Sequence, residues 1–311
     1  MKLAFVYAGQ GSQKVGMGKD FYAEFPAFAN IFDHAPVDFD LKTMCFEGPE
    51  EQLSQTRYTQ PCMVAFAVGA TDLLYQEGIR PQAAAGLSLG EYSALYAAGV
   101  FSRETAISTV AFRGRAMEEA AAGLECGMTA VLGLERDNLL AACEKGSELG
   151  VVQICNYNCP GQLVIGGEKE AVDRAGELAR ALGAKRCMPL KVSGPFHTRL
   201  MRPAGDALAA HFRTLNFSPM SIPVYFNCEG GPMEPGDTIP ALLERQVQSS
   251  VYWEDTIRRM EADGIDTVVE IGPGKALSGF FKKTAPAIKT CHIETVADFR
   301  GVVSALKGEA A

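Results

Sequence analysis

Short runs of apolar residues alternate with longer segments of helical periodicity along most of the chain. Residues 3–8 (LAFVYA) and 83–87 (AAAGL) are apolar or small at every position, which is typical of strands buried on both faces of a parallel sheet. Between them, residues 61–76 are apolar nearly all round and predict a buried helix. Further strands are predicted at 222–227 and 267–272, with helices between them. This alternation predicts an α/β fold with a mostly parallel sheet.

The helical segment near the N-terminus contains regularly placed prolines. Residues 20–79 have helical patterning, and a proline inside a helix removes a hydrogen bond and clashes with the preceding turn. We therefore expect the helices of this segment to be interrupted at four positions, which are Pro26, Pro36, Pro49 and Pro61.

The pattern changes between residues 124 and 191. A strand, a helix, two strands, a helix and a last strand follow one another there, and Pro160-Gly161 marks the turn between the two central strands. This βαββαβ order is that of ferredoxin-like folds, in which a small sheet is covered by two helices. We predict a catalytic core formed by residues 1–123 and 192–311, with a ferredoxin-like subdomain, 124–191, inserted into it.

A serine stands where the second apolar strand gives way to a helix. Gly86 and Gly90 flank Ser88 in the pattern G-x-S-x-G, and a helical segment ending at Gly99 follows. Glycines at these two positions allow a sharp turn from strand to helix, which exposes the serine hydroxyl at the sheet edge. We interpret Ser88 as a nucleophile, and the alternative interpretation is an ordinary helix-capping serine.

Composition and charge narrow the classes of function. The formal net charge of −8 argues against a nucleic-acid-binding protein, which needs a basic face. The nine cysteines include no C-x-x-C pair, so we expect free thiols in a reducing compartment. The apolar N-terminal run is too short for a signal peptide, and no run approaches a membrane span. We expect a cytoplasmic protein without a membrane segment, and a monomer.

A serine nucleophile needs a base and an oxyanion site. Among the four histidines, His197 is the preferred base because it lies in the loop Ser193–Thr198 just before a helix. No Asp or Glu partner is evident, and a backbone carbonyl could orient the imidazole instead. The N–H of Leu89 follows the nucleophile and would be one oxyanion donor, and the loop Gly9–Gly11 could supply a second. Arg113 is either a solvated helix residue or a buried partner for a substrate carboxylate.

Eight short motifs occur in the order found in one enzyme family. The chain resembles the malonyl-CoA:acyl carrier protein transacylase family and the acyltransferase domains of polyketide and fatty acid synthases over nearly its full length. The motifs are GQGSQ (9–13), TQP (59–61), GLSLGEY (86–92), the RG of FRGRAM (112–117), NYNCPGQ (156–162), GPFH (194–197), RQV (245–247) and EIGPGK (270–275). The resemblance implies a hydrolase-like α/β core carrying the ferredoxin-like subdomain.

The resemblance also implies a role for individual residues. Ser88 would carry the malonyl ester and His197 would be its base, with the backbone N–H groups of Gln10 and Leu89 as the oxyanion hole. Arg113 would clamp the malonyl carboxylate, and the backbone carbonyl of Gln246 would orient the histidine. The pocket would be lined by Gln60, Asn156 and Phe196. The family usually has a histidine where this chain has Leu87.

The resemblance implies malonyl-CoA and an acyl carrier protein as substrates, with no metal and no further cofactor. Because carrier proteins of the family are acidic, we expect basic residues near the histidine to form a docking patch, namely Lys185, Arg186, Lys191, Arg199 and Arg202. Three alternatives remain open: an acyltransferase serving a polyketide synthase carrier, a serine thioesterase or hydrolase, and a non-catalytic acyl-binding protein.

Overall fold

A computed structural model describes residues 1–308, and these contain ten strands in two sheets. The strands are β1 Leu3–Tyr7, β2 Ala83–Gly86, β3 Cys126–Leu132, β4 Val152–Cys159, β5 Gln162–Glu168, β6 Arg186–Pro189, β7 Val224–Phe226, β8 Gly231–Pro232, β9 Thr267–Ile271 and β10 Lys289–Ile293. The α-helices are α1 Lys19–Glu24, α2 Pro26–Asp33, α3 Leu41–Glu47, α4 Glu50–Leu53, α5 Thr56–Gln76, α6 Gly90–Ala97, α7 Arg103–Ala121, α8 Arg136–Gly146, α9 Lys169–Ala181, α10 Arg202–Phe212, α11 Ile239–Gln248, α12 Trp253–Ala262, α13 Ala276–Thr284 and α14 Val296–Lys307.

The larger sheet has the strand order β10-β9-β1-β2-β7-β8, and its neighbours are parallel except for the pair β7–β8. All residues of the central strands β1, β2 and β9 are buried, as the continuous apolar runs predict. Because β1 and β2 are parallel neighbours, the loops that follow Tyr7 and Gly86 leave the same edge of the sheet. This edge therefore brings the loop of residues 9–11 close to the serine turn.

The smaller sheet is antiparallel, with the order β4-β5-β3-β6. Helices α8 and α9 pack on it through a separate apolar cluster that includes Leu139, Val172 and Ile165. The sequence of elements from β3 to β6 is the predicted βαββαβ order, so the predicted fold class is confirmed. The proposed unit boundaries, 1–123 with 192–311 and 124–191, stay predictions, and residues 309–311 lie outside the described part.

One expectation about the helices is wrong. Pro61 does not interrupt a helix but lies inside α5, which begins at Thr56. The missing N–H deprives the carbonyl of Arg57 of its helical partner, but seventeen residues of α5 are buried, and this packing outweighs the local cost. No helix within residues 1–308 is both long enough and apolar enough to cross a bilayer.

Candidate active site

The turn that carries Ser88 is sterically specified. The backbone φ of Ser88 is +51°, in the left-handed region that residues other than glycine rarely adopt. A Cβ atom at Gly86 would lie 1.9 Å from the carbonyl carbon of Gly90, and one at Gly90 would lie 2.2 Å from the carbonyl oxygen of Tyr7. Only glycine fits at either position, so strand β2 and helix α6 approach closely enough to force the serine into the strained conformation.

A buried amide supports this turn from below. The N–H of Ser88 donates to Oδ1 of Asn227 at 2.5 Å, and Nδ2 of Asn227 donates to the carbonyl oxygen of Gly86 at 2.7 Å. The N–H of Asn227 in turn donates to Oε2 of Glu91, whose pKa is raised to about 8 by burial. Sequence reasoning missed both residues, although Glu91 lies within the motif 86–92 and Asn227 is the last residue of the predicted strand 222–227.

His197 is placed to act as the base for Ser88. Its Nε2 lies 2.7 Å from Ser88 Oγ, and its Nδ1 lies 2.9 Å from the backbone oxygen of Gln246. A carbonyl oxygen can only accept, so Nδ1 carries the proton and Nε2 accepts from the serine hydroxyl. Since α11 ends at Gln248, its last carbonyls have no helical donors and are free to hold the imidazole. The structure thus brings a carbonyl to the position of a triad carboxylate.

The charge state of His197 follows from its surroundings. Burial, and then the positive charge of Arg113, lower the pKa of His197 to about 4, while hydrogen bonds to the backbone at Gln246 and Ser249 act in the opposite direction. The imidazole is therefore neutral near neutral pH and can take up a proton. The carbonyl end of α11 carries partial negative charge and stabilises the imidazolium once it forms.

Arg113 is buried completely, and its side chain lies beside the nucleophile. Its Nη2 donates to Ser88 Oγ at 3.1 Å and to Oε1 of Gln246 at 3.0 Å. Its Nε and Nη1 have no hydrogen-bond partner within residues 1–308, and no carboxylate in this range lies within ion-pair distance of it. Buried guanidinium groups are almost always paired, so this one is suited to an anionic ligand.

A cavity of about 710 Å³ opens above the serine, a size suited to small-molecule ligands. Gln10, Phe196 and His197 line its core side, and Asn156 of β4 lines its subdomain side. Gln60 does not line the cavity. It is buried and donates from Nε2 to Oε1 of Gln10 at 3.3 Å, so it supports the loop at residues 9–11.

Two backbone N–H groups are available as oxyanion donors. The N–H groups of Gln10 and Leu89 donate to no acceptor within residues 1–308. Gln10 lines the cavity, and Leu89 directly follows Ser88. Leu89 directly precedes α6, so its N–H belongs to the unpaired first turn of that helix. Donors of this kind stabilise the negative oxygen of an acyl-transfer intermediate.

Comparison with known proteins gives a consistent result. The profile of the acyl transferase domain family matches residues 4–298. The malonyl CoA-acyl carrier protein transacylase of Bacillus subtilis (strain 168) is 40% identical over 311 residues, covering 99% of this chain and 98% of that protein. The corresponding transacylase of Escherichia coli (strain K12) is 41% identical over 285 residues, covering 91% of this chain and 92% of that one.

Solved structures agree with the sequence matches. MCAT from Streptococcus pneumoniae superposes with a TM-score of 0.93 at 45% identity, covering 98% of this chain and 100% of that one. A malonyl-transacylase in complex with its type II PKS acyl-carrier protein superposes with a TM-score of 0.94 at 36% identity, covering 99% of this chain and 100% of that one. These matches confirm the resemblance drawn from the eight motifs.

Proposed function

The chain belongs to the acyl transferase domain family, and on this premise we propose that it transfers a malonyl group from malonyl-CoA to the phosphopantetheine thiol of an acyl carrier protein. The observation that carries this proposal is Arg113, a buried cation that has no carboxylate within ion-pair distance in residues 1–308 and whose Nη2 lies 3.1 Å from Ser88 Oγ. The carboxylate of a malonyl ester on Ser88 is three bonds from Oγ, so it can reach this guanidinium.

In the first half of the reaction, Ser88 Oγ attacks the thioester carbonyl of malonyl-CoA while His197 Nε2 takes the hydroxyl proton. The carbonyl oxygen becomes negative and is held by the N–H groups of Gln10 and Leu89. The intermediate collapses as the C–S bond breaks, and His197 returns its proton to the leaving coenzyme A thiolate. The pKa of His197 is lowered by burial and then by the charge of Arg113, and pairing of Arg113 with the malonyl carboxylate weakens the second effect, which favours uptake of the serine proton during the attack.

In the second half, the carrier thiol gives its proton to His197 and attacks the malonyl-serine carbonyl. The C–O bond then breaks, and Ser88 recovers its proton from the imidazolium. Water competes with the thiol for the same ester. Fixing the carboxylate at Arg113 aligns the carbonyl with its two donors, so the binding energy is used for positioning. No metal or cofactor other than the two substrates takes part in this scheme.

The carrier is expected to dock at the mouth of the cavity. Lys191 lines the mouth together with Leu190 and Val192, and the apolar side chains beside it are 38% and 40% exposed. The other basic residues of the predicted patch are exposed as well, namely Lys185, Arg186, Arg199 and Arg202. We propose that this basic and apolar rim receives an acidic carrier, that the pathway is fatty acid synthesis, and that the enzyme is a cytoplasmic monomer.

Substitution of Arg113 tests the clamp. Arg113→Ala should lower the preference for malonyl-CoA over acetyl-CoA by at least about 100-fold, because acetyl makes no use of the guanidinium. The measurement is a competition between the two thioesters, with the acyl group on Ser88 identified by mass. An unchanged preference would exclude the clamp.

Charge reversal at the rim separates the two substrates. Arg186→Glu with Arg199→Glu, two exposed residues that do not line the cavity, should slow malonyl transfer to the carrier, most strongly at low salt, and leave loading from malonyl-CoA unchanged. The rivals give different results. A thioesterase would release free malonate without any carrier, and a non-catalytic protein would never form the ester. Faster transfer to the carrier protein of a polyketide synthase than to that of fatty acid synthesis would indicate that the enzyme serves polyketide synthesis.

A further inference from the structure

The side chain of Gln246 connects the nucleophile with the buried cation. It has no exposed surface, and its Nε2 donates to the backbone oxygen of Ser88 at 2.8 Å while its Oε1 accepts from Arg113 Nη2 at 3.0 Å. Its backbone oxygen separately holds His197 at 2.9 Å. The side-chain amide of Gln246 thus makes its own contacts with Ser88 and Arg113, separate from the contact of the backbone carbonyl with the imidazole.

The orientation of this amide is determined by its neighbours. A flipped amide would oppose Nε2 to the donor Nη2 of Arg113 and Oε1 to the carbonyl oxygen of Ser88, which loses both hydrogen bonds. An uncharged group with one donor and one acceptor is therefore required here. A neutral acceptor also adds no negative charge beside Arg113, which has no carboxylate within ion-pair distance in residues 1–308.

The hydrogen bonds of Arg113 change when Ser88 is acylated. In the free enzyme the two N–H groups of Nη2 are used by Ser88 Oγ and by Gln246 Oε1, while Nη1 is unpartnered. An ester oxygen is a weaker acceptor than a hydroxyl, so acylation releases the N–H that faced Oγ. The terminal carboxylate can then take this N–H together with one from Nη1 as a two-pronged pair, while Gln246 continues to hold the guanidinium plane.

We infer that the Gln246 amide is a positioning residue that selects acyl groups bearing a terminal carboxylate, because it fixes the guanidinium of Arg113 beside Ser88 without neutralising it. This inference rests on the proposed function. It concerns the side chain only, since every substitution at position 246 keeps the backbone oxygen that holds His197.

Two substitutions test the inference in the full-length chain. Gln246→Glu places a carboxylate against Arg113 in competition with the substrate, and it should reduce kcat/KM for malonyl loading by about 100-fold, mainly through KM, with acetyl loading changed much less. Gln246→Met removes the acceptor without adding charge and should reduce the malonyl-to-acetyl ratio by about tenfold. The matched control is Gln248→Glu on the same helix, whose Nε2 bonds only within α11, and it should leave the ratio unchanged.

The outcomes distinguish this inference from the proposed function. Failure of the unsubstituted chain to load malonyl from malonyl-CoA refutes the proposed function itself. Normal loading by the parent, with the malonyl-to-acetyl ratio preserved in the Gln246→Glu and Gln246→Met variants, overturns the inference alone. Equal losses of malonyl and acetyl loading in the Met variant also overturn it, because they indicate a merely structural role.

Discussion

The two sheets contribute to the cavity in different ways. Ser88 follows strand β2 of the parallel sheet and His197 lies in the loop between β6 and α10, and within residues 1–308 these two are the non-glycine residues with left-handed backbone. Both are held by short hydrogen bonds to buried partners, Asn227 and Gln246. The antiparallel sheet contributes side chains such as Asn156 to the wall, and none of them bonds to the reacting atoms. The core thus fixes the chemistry, and the subdomain shapes the space.

The largest expected effect is on the core side, at the base. His197→Ala should slow malonyl loading by about 1,000-fold, because within the described residues no other side chain bonds to Ser88 Oγ as an acceptor. His34→Ala, at the residue that directly follows α2, is the control and should load at the parental rate. In the parent, loading should be flat with pH above about 5 and fall only towards pH 4, since the imidazole must be neutral and its pKa is lowered to about 4. A decline centred near pH 6.5 would show an unperturbed histidine instead.

Glycine substitutions compare the two regions directly. Gly86→Ala should destabilise the protein by about 3 kcal/mol, because its Cβ would overlap the backbone of Gly90 at 1.9 Å. Gly176→Ala in the subdomain helix α9 meets no atom within 4 Å and should stabilise by about 0.5 kcal/mol through helix propensity. Denaturant unfolding measures both. Equal effects at the two positions would remove the distinction between a strained core and a relaxed subdomain.

The buried carboxyl below the turn gives a pH-dependent effect. Burial raises the pKa of Glu91 to about 8 in the folded state, above its value of 4.5 when unfolded. The folded state therefore retains a proton that the unfolded state has lost, so this contribution is complete below pH 4.5 and disappears as the pH rises through about 8. Glu91→Gln should gain stability relative to the parent by of order 1 kcal/mol per pH unit across this interval. A gap in Tm that is constant with pH would contradict a neutral Glu91.

The smallest effect is expected on the subdomain side. Asn156→Ala should raise KM for malonyl-CoA about fivefold with kcat unchanged, because a lining amide that bonds to no reacting atom contributes equally to the ground state and the transition state. Steady-state kinetics with each thioester provide the measurement. A fall in kcat as large as the one expected for His197→Ala would show that Asn156 takes part in the chemistry.

Much of this arrangement can be predicted from the sequence because its causes are local. The apolar runs of β1 and β2, the two glycines around Ser88 and the βαββαβ order each follow from nearest-neighbour sterics or periodicity. The helix α5 is different. Its length depends on burial in the folded core, which is a tertiary effect, and the rule for Pro61 failed for that reason.

The site residues likewise include some that local sequence predicts and others that depend on contacts between distant segments. Ser88, Leu89 and His197 can be chosen from chemistry and local pattern, and the structure brings them together. The hydrogen bonds by which Asn227 and Glu91 support the turn at Ser88 could not be predicted, because they join segments that are 136 or more residues apart in the sequence. The roles assigned to Gln246 and Gln60 came from family resemblance alone. The structure places Gln246 against His197, and it places Gln60 behind the cavity wall rather than in it.

The most direct test of the account is the intact mass of the protein after mixing with malonyl-CoA, followed by addition of a holo acyl carrier protein. We expect the parent to gain the mass of one malonyl group on Ser88 and to lose it to the carrier thiol, while Ser88→Ala gains nothing. Transfer to the carrier by Ser88→Ala at the parental rate would contradict the account.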